Sequence, residues 1–231
     1  MQALAREFAE GEVAPHAAGW NARHEVPVDV LRRLGDIGLM GVTTPAEYGE
    51  AGLDQTSYCL AMEQIAAADA GVATAMAVQN GLASAPVLEW GSEEQRRRWL
   101  PQLAAMERIG AYALSEPEAG SDAASLRTTA TPADDAGHVL NGAKLWISNG
   151  GIADFFVIFA RTGKPGPKGI SAFATERADG LRVSEEIAKM GQHSSSTVEL
   201  AFDDMYLPQG SMLGDDGRGF EIALATLDTS R

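Results

Sequence analysis

A change of hydrophobic period near Gly110 limits the possible folds of this chain more than any other feature of its sequence. Before that point apolar residues recur at spacings of three and four. Val30, Leu31, Leu34 and Ile37 follow Pro27, and Tyr58, Ala61, Met62, Ile65 and Ala66 repeat the pattern. That spacing gathers side chains on one side of a 3.6-residue helix, so each segment predicts an amphipathic helix. In GSEEQRRRWL, Ser92 stands where an N-cap would stand and Gln95, three residues on, completes a capping box. Beyond Gly110 the period becomes two: in VELAFDD, Val198, Leu200 and Phe202 alternate with Glu199, Ala201 and Asp203, as in a half-buried strand. DFFVIFART is continuously apolar and predicts a strand covered on both faces. Asn141-Gly142 predicts a hairpin turn, and GKPGPKG a loop. From about Gly217 the pattern is helical again and runs to Arg231. The sequence therefore predicts a helical bundle, then a compact antiparallel β domain, then the opening of another helix.

Composition narrows the function. The chain has 231 residues, 45% apolar and 22% charged, enough for a genuine core. Its 18 Lys and Arg against 32 Asp and Glu give a net charge of -14, a field that opposes nucleic acid and anionic membrane surfaces. No apolar run approaches the roughly 20 residues of a spanning helix, and MQALAREFAEGEV is acidic, unlike a signal or transit peptide, so the cytoplasm is the expected address. Cys59, the single cysteine, excludes an internal disulfide, and within TSYCLAMEQIAAA it reads as a buried inert thiol. His16, His24, His138 and His193 form no metal-ligand spacing, so no metal site is expected. Neither a Walker loop nor a Rossmann glycine fingerprint occurs.

Two stretches carry the chemistry. ALSEPEAGSD, Ala113 to Asp122, ends in a Gly120-Ser121 turn whose N–H groups and hydroxyl could hold a phosphate, yet Glu116, Glu118 and Asp122 surround it with negative charge. A carboxylate facing such an anion at about 6 Å, with an effective dielectric of about 20, would cost roughly 3 kcal/mol. The three acids must therefore point away or be paired, and Pro117, by holding Glu116 extended, lets Ser115 and Glu116 face opposite ways. The other reading is an ordinary polar loop. LNGAKLWISNGG brings Trp146 beside Ser148, a flat apolar face next to a hydroxyl, which suits the isoalloxazine ring and its polar edge; a core tryptophan in a strand fits the same letters.

Taken together and in this order, GLMGVTTPAEYGEAGL, YALSEPEAGSD, LNGAKLWISNG, KMGQHSSSTVELAFDDMYLP and GDDGRGFEIALATLD resemble the acyl-CoA dehydrogenase family over essentially the whole chain. The resemblance implies an α+β fold: an N-terminal helical domain at 1–108, an antiparallel β-barrel middle domain at 109–216, and at 217–231 the first helix of a C-terminal four-helix domain. It implies FAD, lined by Tyr112, Ala113, Leu114, Ser115, Gly120 and Ser121 and by Trp146, Ile147 and Ser148. It implies acyl-CoA contacts from Ser121, Ser195, Asp228 and Arg231, and places His193 where relatives often carry arginine. The implied reaction is α,β-dehydrogenation of an acyl-CoA thioester to the trans-2-enoyl-CoA in fatty-acid β-oxidation, with electron-transfer flavoprotein as acceptor and a homotetrameric assembly. The glutamate base is expected beyond Arg231, so the 231 residues are expected not to turn over alone and to retain flavin weakly. AMAVQNGLASAPVL is expected beside the acyl chain, and RTGKPGPKGIS tilts the reading towards short acyl groups. QRRRW reads as a solvated helix face with Trp99 buried rather than a CoA phosphate clamp. The competing readings are an acyl-CoA oxidase or flavin monooxygenase on the same fold, and a non-catalytic binding half of a split assembly.

Overall fold

The computed structural model describes residues 1–49 and 51–230. Its helical part contains α1 (Gln2–Phe8), α2 (Ala14–Arg23), α3 (Val28–Asp36), α4 (Gln55–Ala68), α5 (Ala70–Ala77), α6 (Ala85–Trp90) and α7 (Glu93–Ala104). π-helical turns at Ala9–Val13 and Val78–Ser84 join α1 to α2 and α5 to α6. Short polar side chains set the helix starts by accepting the first free N–H groups: Asp54 from Ser57 at 2.8 Å, Asp69 from Val72 at 2.8 Å, and Ser92 from Gln95 within the predicted capping box. Leu31 and Leu34 of α3, Ala61 and Ile65 of α4, and Val72 and Met76 of α5 share one core. Cys59 lies on the far side of α4 and is exposed, which corrects the expected buried thiol. One residue, or about 100° of helix, separates it from Tyr58, and only the Tyr58 face is covered.

The second part is a sheet of β1 (Gly110–Ala113), β2 (Thr129–Pro132), β3 (His138–Ser148), β4 (Phe155–Arg161), β5 (Ile170–Glu176), β6 (Leu181–Val183), β7 (Thr197–Leu207) and β8 (Met212–Leu213). The strand order is β6-β7-β3-β2-β4-β5-β8, with β1 also paired to β4. The expected antiparallel barrel is corrected in two ways. The sheet is mixed, because β1 and β2 both run parallel to β4. It also stays open, ending on the short strands β6 and β8, which offer too little ladder to pair across the gap. β4 is buried along six of its seven residues, as its apolar run predicts, while Glu199, Ala201 and Asp203 of β7 face solvent between buried Val198, Leu200 and Phe202. Helix α8 (Gly219–Ser230) lays Ile222 and Ala223 into the core that Ile170, Ala172 and Leu213 build on the same sheet face.

Asn141-Gly142 is not a hairpin turn. β3 runs straight through it, and its pairing to β7 slips between Leu140 and Gly142, the signature of a β-bulge. Asn141 supports the bulge by donating to Asp204 at 2.8 Å and accepting from the Asp204 N–H at 2.9 Å. The β2–β3 reversal occurs earlier, at residues 133–137, where the Ala133 N–H donates to the Gly137 carbonyl at 2.9 Å. Gly142 has φ of 141°, and a Cβ there would lie 2.6 Å from the Thr128 hydroxyl oxygen. Gly142→Ala is accordingly expected to destabilise the chain by about 2–4 kcal/mol, read as a lower urea midpoint, with the α-helical signal lost in the same transition.

Candidate functional site

A cavity of about 620 Å³ opens where the helices meet the sheet. Four pieces of chain wall it: Val78 and Leu82 from the π-helical turn; Tyr112, Leu114, Ser115, Gly120 and Ser121 from the end of β1 and its loop; Trp146, Ile147 and Ser148 from the end of β3; and Asp228 with its neighbours on α8. Eight of the nine residues expected at a cofactor therefore meet around one space, although up to 36 positions separate them. The exception is Ala113, fully buried in the opposite core with Ala111 and Ile158, where strand alternation sends it. Asp228 lies on the cavity wall. Ser195 does not: it is 3% exposed, in a turn where its N–H donates to Gln192 at 3.0 Å. Arg231 falls outside the described residues.

The lining is divided by chemistry. Tyr112, Leu114, Phe220 and Leu227 supply apolar surface. Phe220, Ala223, Leu224 and Leu227 were not singled out in the sequence, yet their spacing of three, one and three is a helical stripe, the signal that would have found them. Trp146 is 58% exposed with φ of 62°, in a second slip of the β3–β7 pairing between Lys144 and Ile147. That slip turns the indole out of the sheet, so the core-tryptophan reading is overturned. Burial holds the Tyr112 hydroxyl well above the usual phenol range, and it remains a donor, facing the Ala223 carbonyl at 3.4 Å.

The hydroxyls of Ser115, Ser121 and Ser148 reach the cavity and have no hydrogen-bond partner among the described residues; the same is true of the Gly120 and Ser121 N–H groups. All three nearby acids are engaged elsewhere. Glu116 turns behind the wall to Lys144 at 2.8 Å, Glu118 pairs with Arg127 at 2.5 Å, and Asp122 accepts the Ser125 hydroxyl at 2.5 Å. Ser115 and Glu116 face opposite ways, as the Pro117 argument requires. Apart from Asp228, the remaining surface is an array of uncharged donors beside a flat apolar wall. Among the described residues no cluster of His, Cys, Asp or Glu is placed to hold a metal ion.

The cavity between the helices and the sheet has the size to take an extended small molecule, and the loop after β1 and the end of β3 offer it uncharged donors. The family model for the acyl-CoA dehydrogenase N-terminal domain matches residues 1–107, and that for the middle domain residues 111–205. The chain belongs to the acyl-CoA dehydrogenase family. Over 233 aligned residues it is 41% identical to an acyl-CoA dehydrogenase of Bacillus subtilis, covering 100% of this chain and 61% of that one. The solved butyryl-CoA dehydrogenase of Megasphaera elsdenii superposes with a TM-score of 0.96 at 38% identity, over 99% of this chain and 61% of the other. An acyl-CoA dehydrogenase of Bacillus anthracis, solved complexed with FAD, gives a TM-score of 0.93 at 37% identity, over 100% of this chain and 40% of that one. The chain thus spans about three fifths of the length of the curated relatives it matches.

Glu116 supplies a pH test of this geometry. Burial raises its carboxyl, but the Lys144 charge and the hydrogen bonds from Lys144, Thr128 and Arg127 outweigh burial and hold it below the usual glutamate range. A depressed folded-state value means that its stabilising contribution is full above the unfolded value of about 4.3 and is lost as pH falls through the lower folded value. Acid titration followed by near-ultraviolet circular dichroism is expected to leave the cavity wall intact down to about pH 4. Glu116→Gln should be destabilised by about 3–5 kcal/mol already at pH 7, because it leaves Lys144 buried without a counter-charge.

Proposed function

We propose that the cavity holds FAD and that the intact protein carries out α,β-dehydrogenation of short acyl-CoA thioesters, passing electrons to an electron-transfer flavoprotein. The convergence of the Ser115, Ser121 and Ser148 hydroxyls, all without partners among the described residues, on one cavity beside Trp146 carries this reading. Family membership and the FAD complex of the Bacillus anthracis relative support it, and the butyryl substrate named for the Megasphaera elsdenii relative supports short acyl groups. The donor set fits the group. An isoalloxazine needs a flat apolar face and hydrogen bonds to its heteroatom edge, which Trp146 with Ser148 and Ser115 offer; a pyrophosphate needs donors free of facing carboxylates, which the Gly120-Ser121 turn offers.

When bound, the flavin supplies a hydride acceptor. This chain's own part is to bind and to orient. Ser115 and Ser148 would hold the flavin edge through their hydroxyls, Trp146 would cover a ring face, and the α8 stripe with Val78 and Leu82 would exclude water from the site. Asp228 is the one carboxylate among the described lining residues, and its exposure suits contact with the CoA portion. Arg231 is proposed to contact the same substrate, as is Ser195, beyond this cavity. The domain limits at 108 and 216 and a tetrameric assembly complete the proposal. A dehydrogenase is preferred over an oxidase or a binding half because curated relatives such as the Bacillus subtilis protein, at 41% identity, are named dehydrogenases, whereas a solved acyl carrier protein oxidase of the same fold is 30% identical.

Titration of the chain with FAD tests this. Trp146 is 58% exposed, whereas Trp90 is half-buried and Trp20 and Trp99 are 6% and 4% exposed. FAD is therefore expected to quench the Trp146 share of the fluorescence, with Trp146→Phe removing that share, and Ser148→Ala weakening FAD by about tenfold, the worth of one hydrogen bond of roughly 1.4 kcal/mol. FAD that leaves the fluorescence unchanged while acyl-CoA quenches it would point to a cavity that takes substrate and no flavin.

A further inference from the structure

The wall bearing Ser115 and Trp146 is backed by two charges that the cavity does not touch. Lys144 heads the large, fully buried side chains among the described residues, with none of its side chain exposed and 6% of that of Glu116. The Lys144 ammonium donates to the Leu114 carbonyl at 3.0 Å and to Glu116 Oε1 at 2.8 Å. Glu116 also accepts the Arg127 N–H at 2.6 Å and the Thr128 N–H at 2.9 Å. One position beyond Lys144, the Leu145 N–H donates to the Ser115 carbonyl at 2.9 Å, and the next residue is Trp146. Leu114, Ser115 and Glu116 are thus each tied from behind, while the Ser115 hydroxyl stays free to face the cavity.

Stability alone does not account for this arrangement. Removing an ammonium and a carboxylate from water costs more than their attraction reliably returns, and apolar side chains of like volume commonly replace such pairs without loss. An apolar pair could not choose which carbonyl and which amides it holds. Burial lowers the Lys144 ammonium to about 8, against the opposing pull of Glu116, so it is still charged at neutral pH.

We infer that Lys144 and Glu116 are positioning residues for the flavin: they touch neither cofactor nor substrate, and act by fixing the Ser115 hydroxyl against the Trp146 ring across the space where the flavin edge lies. This rests on the flavin reading above. It assigns to a charge pair a task that its contribution to folding does not explain.

The test separates folding from positioning. Lys144→Met and Glu116→Gln, made singly, each strand one buried partner and should lower the urea midpoint; combined, they remove both charges and should return the midpoint close to that of the parent chain. The combined variant is nevertheless expected to bind FAD about tenfold more weakly and to shift the long-wavelength absorption band of the bound flavin. Glu116→Asp, which keeps both charges and withdraws the carboxylate by one methylene, is expected to shift the band in the same direction and serves if the combined variant does not fold. Native FAD affinity and a native band in either folded variant would overturn the inference. A parent chain that takes up no FAD would overturn instead the flavin reading on which it rests.

Discussion

Glu116 lies where three segments of the chain would otherwise part. Its carboxylate draws in the amides of Arg127 and Thr128 and the ammonium of Lys144, so the end of β1, the approach to β2 and the middle of β3 are joined at one point. The wall formed by the ends of β1 and β3 is braced at that junction. With Glu116 turned inward, Ser115 turns outward; with Lys144 held, the slip of β3 from β7 falls at Leu145 and Trp146, and the indole leaves the sheet. A charge that would repel an anion from the cavity instead braces its wall.

The same economy runs through the rest of the loop. For the proposed nucleotide to bind an acidic chain, carboxylates near the Gly120-Ser121 turn must be kept out of its field: Arg127 covers Glu118, and the Ser125 hydroxyl covers Asp122, leaving Asp228 as the carboxylate on the wall. No lysine or arginine lines the cavity among the described residues. Recognition falls to N–H and O–H dipoles, which hold their positions only if the backbone is rigid. The buried pair and the double bulge of β3 supply that rigidity.

What was legible in the sequence was what depends on neighbours in sequence. The Ser92 and Gln95 capping box, the doubly covered run of β4 and the alternation of β7 all express a local period or a three-residue reach. The requirement that the acids be paired or averted was also legible, because it follows from Coulomb's law. Their partners were not: Lys144 lies 28 positions from Glu116, and nothing in its neighbourhood marks a lysine for complete burial. Asn141-Gly142 carries a genuine turn signal, but the ladder to β7 made it a bulge. Cys59 was misread because an apolar composition does not say which face of α4 is covered. Whether the sheet closes depends on strand lengths at its two ends, β6 and β8, which no local pattern sets. The α8 stripe was legible in principle, since its spacing is local.

The central claim is that main-chain amides and serine hydroxyls at the ends of β1 and β3 hold a flavin nucleotide by dipoles. Amide hydrogen exchange of the chain with and without saturating FAD tests it most directly. The account predicts slowed exchange at Gly120 and Ser121, whose N–H groups have no partner among the described residues, with α1 and α3 unchanged. Exchange at Gly120 and Ser121 that stays fast in the bound form, with protection appearing elsewhere, would contradict it.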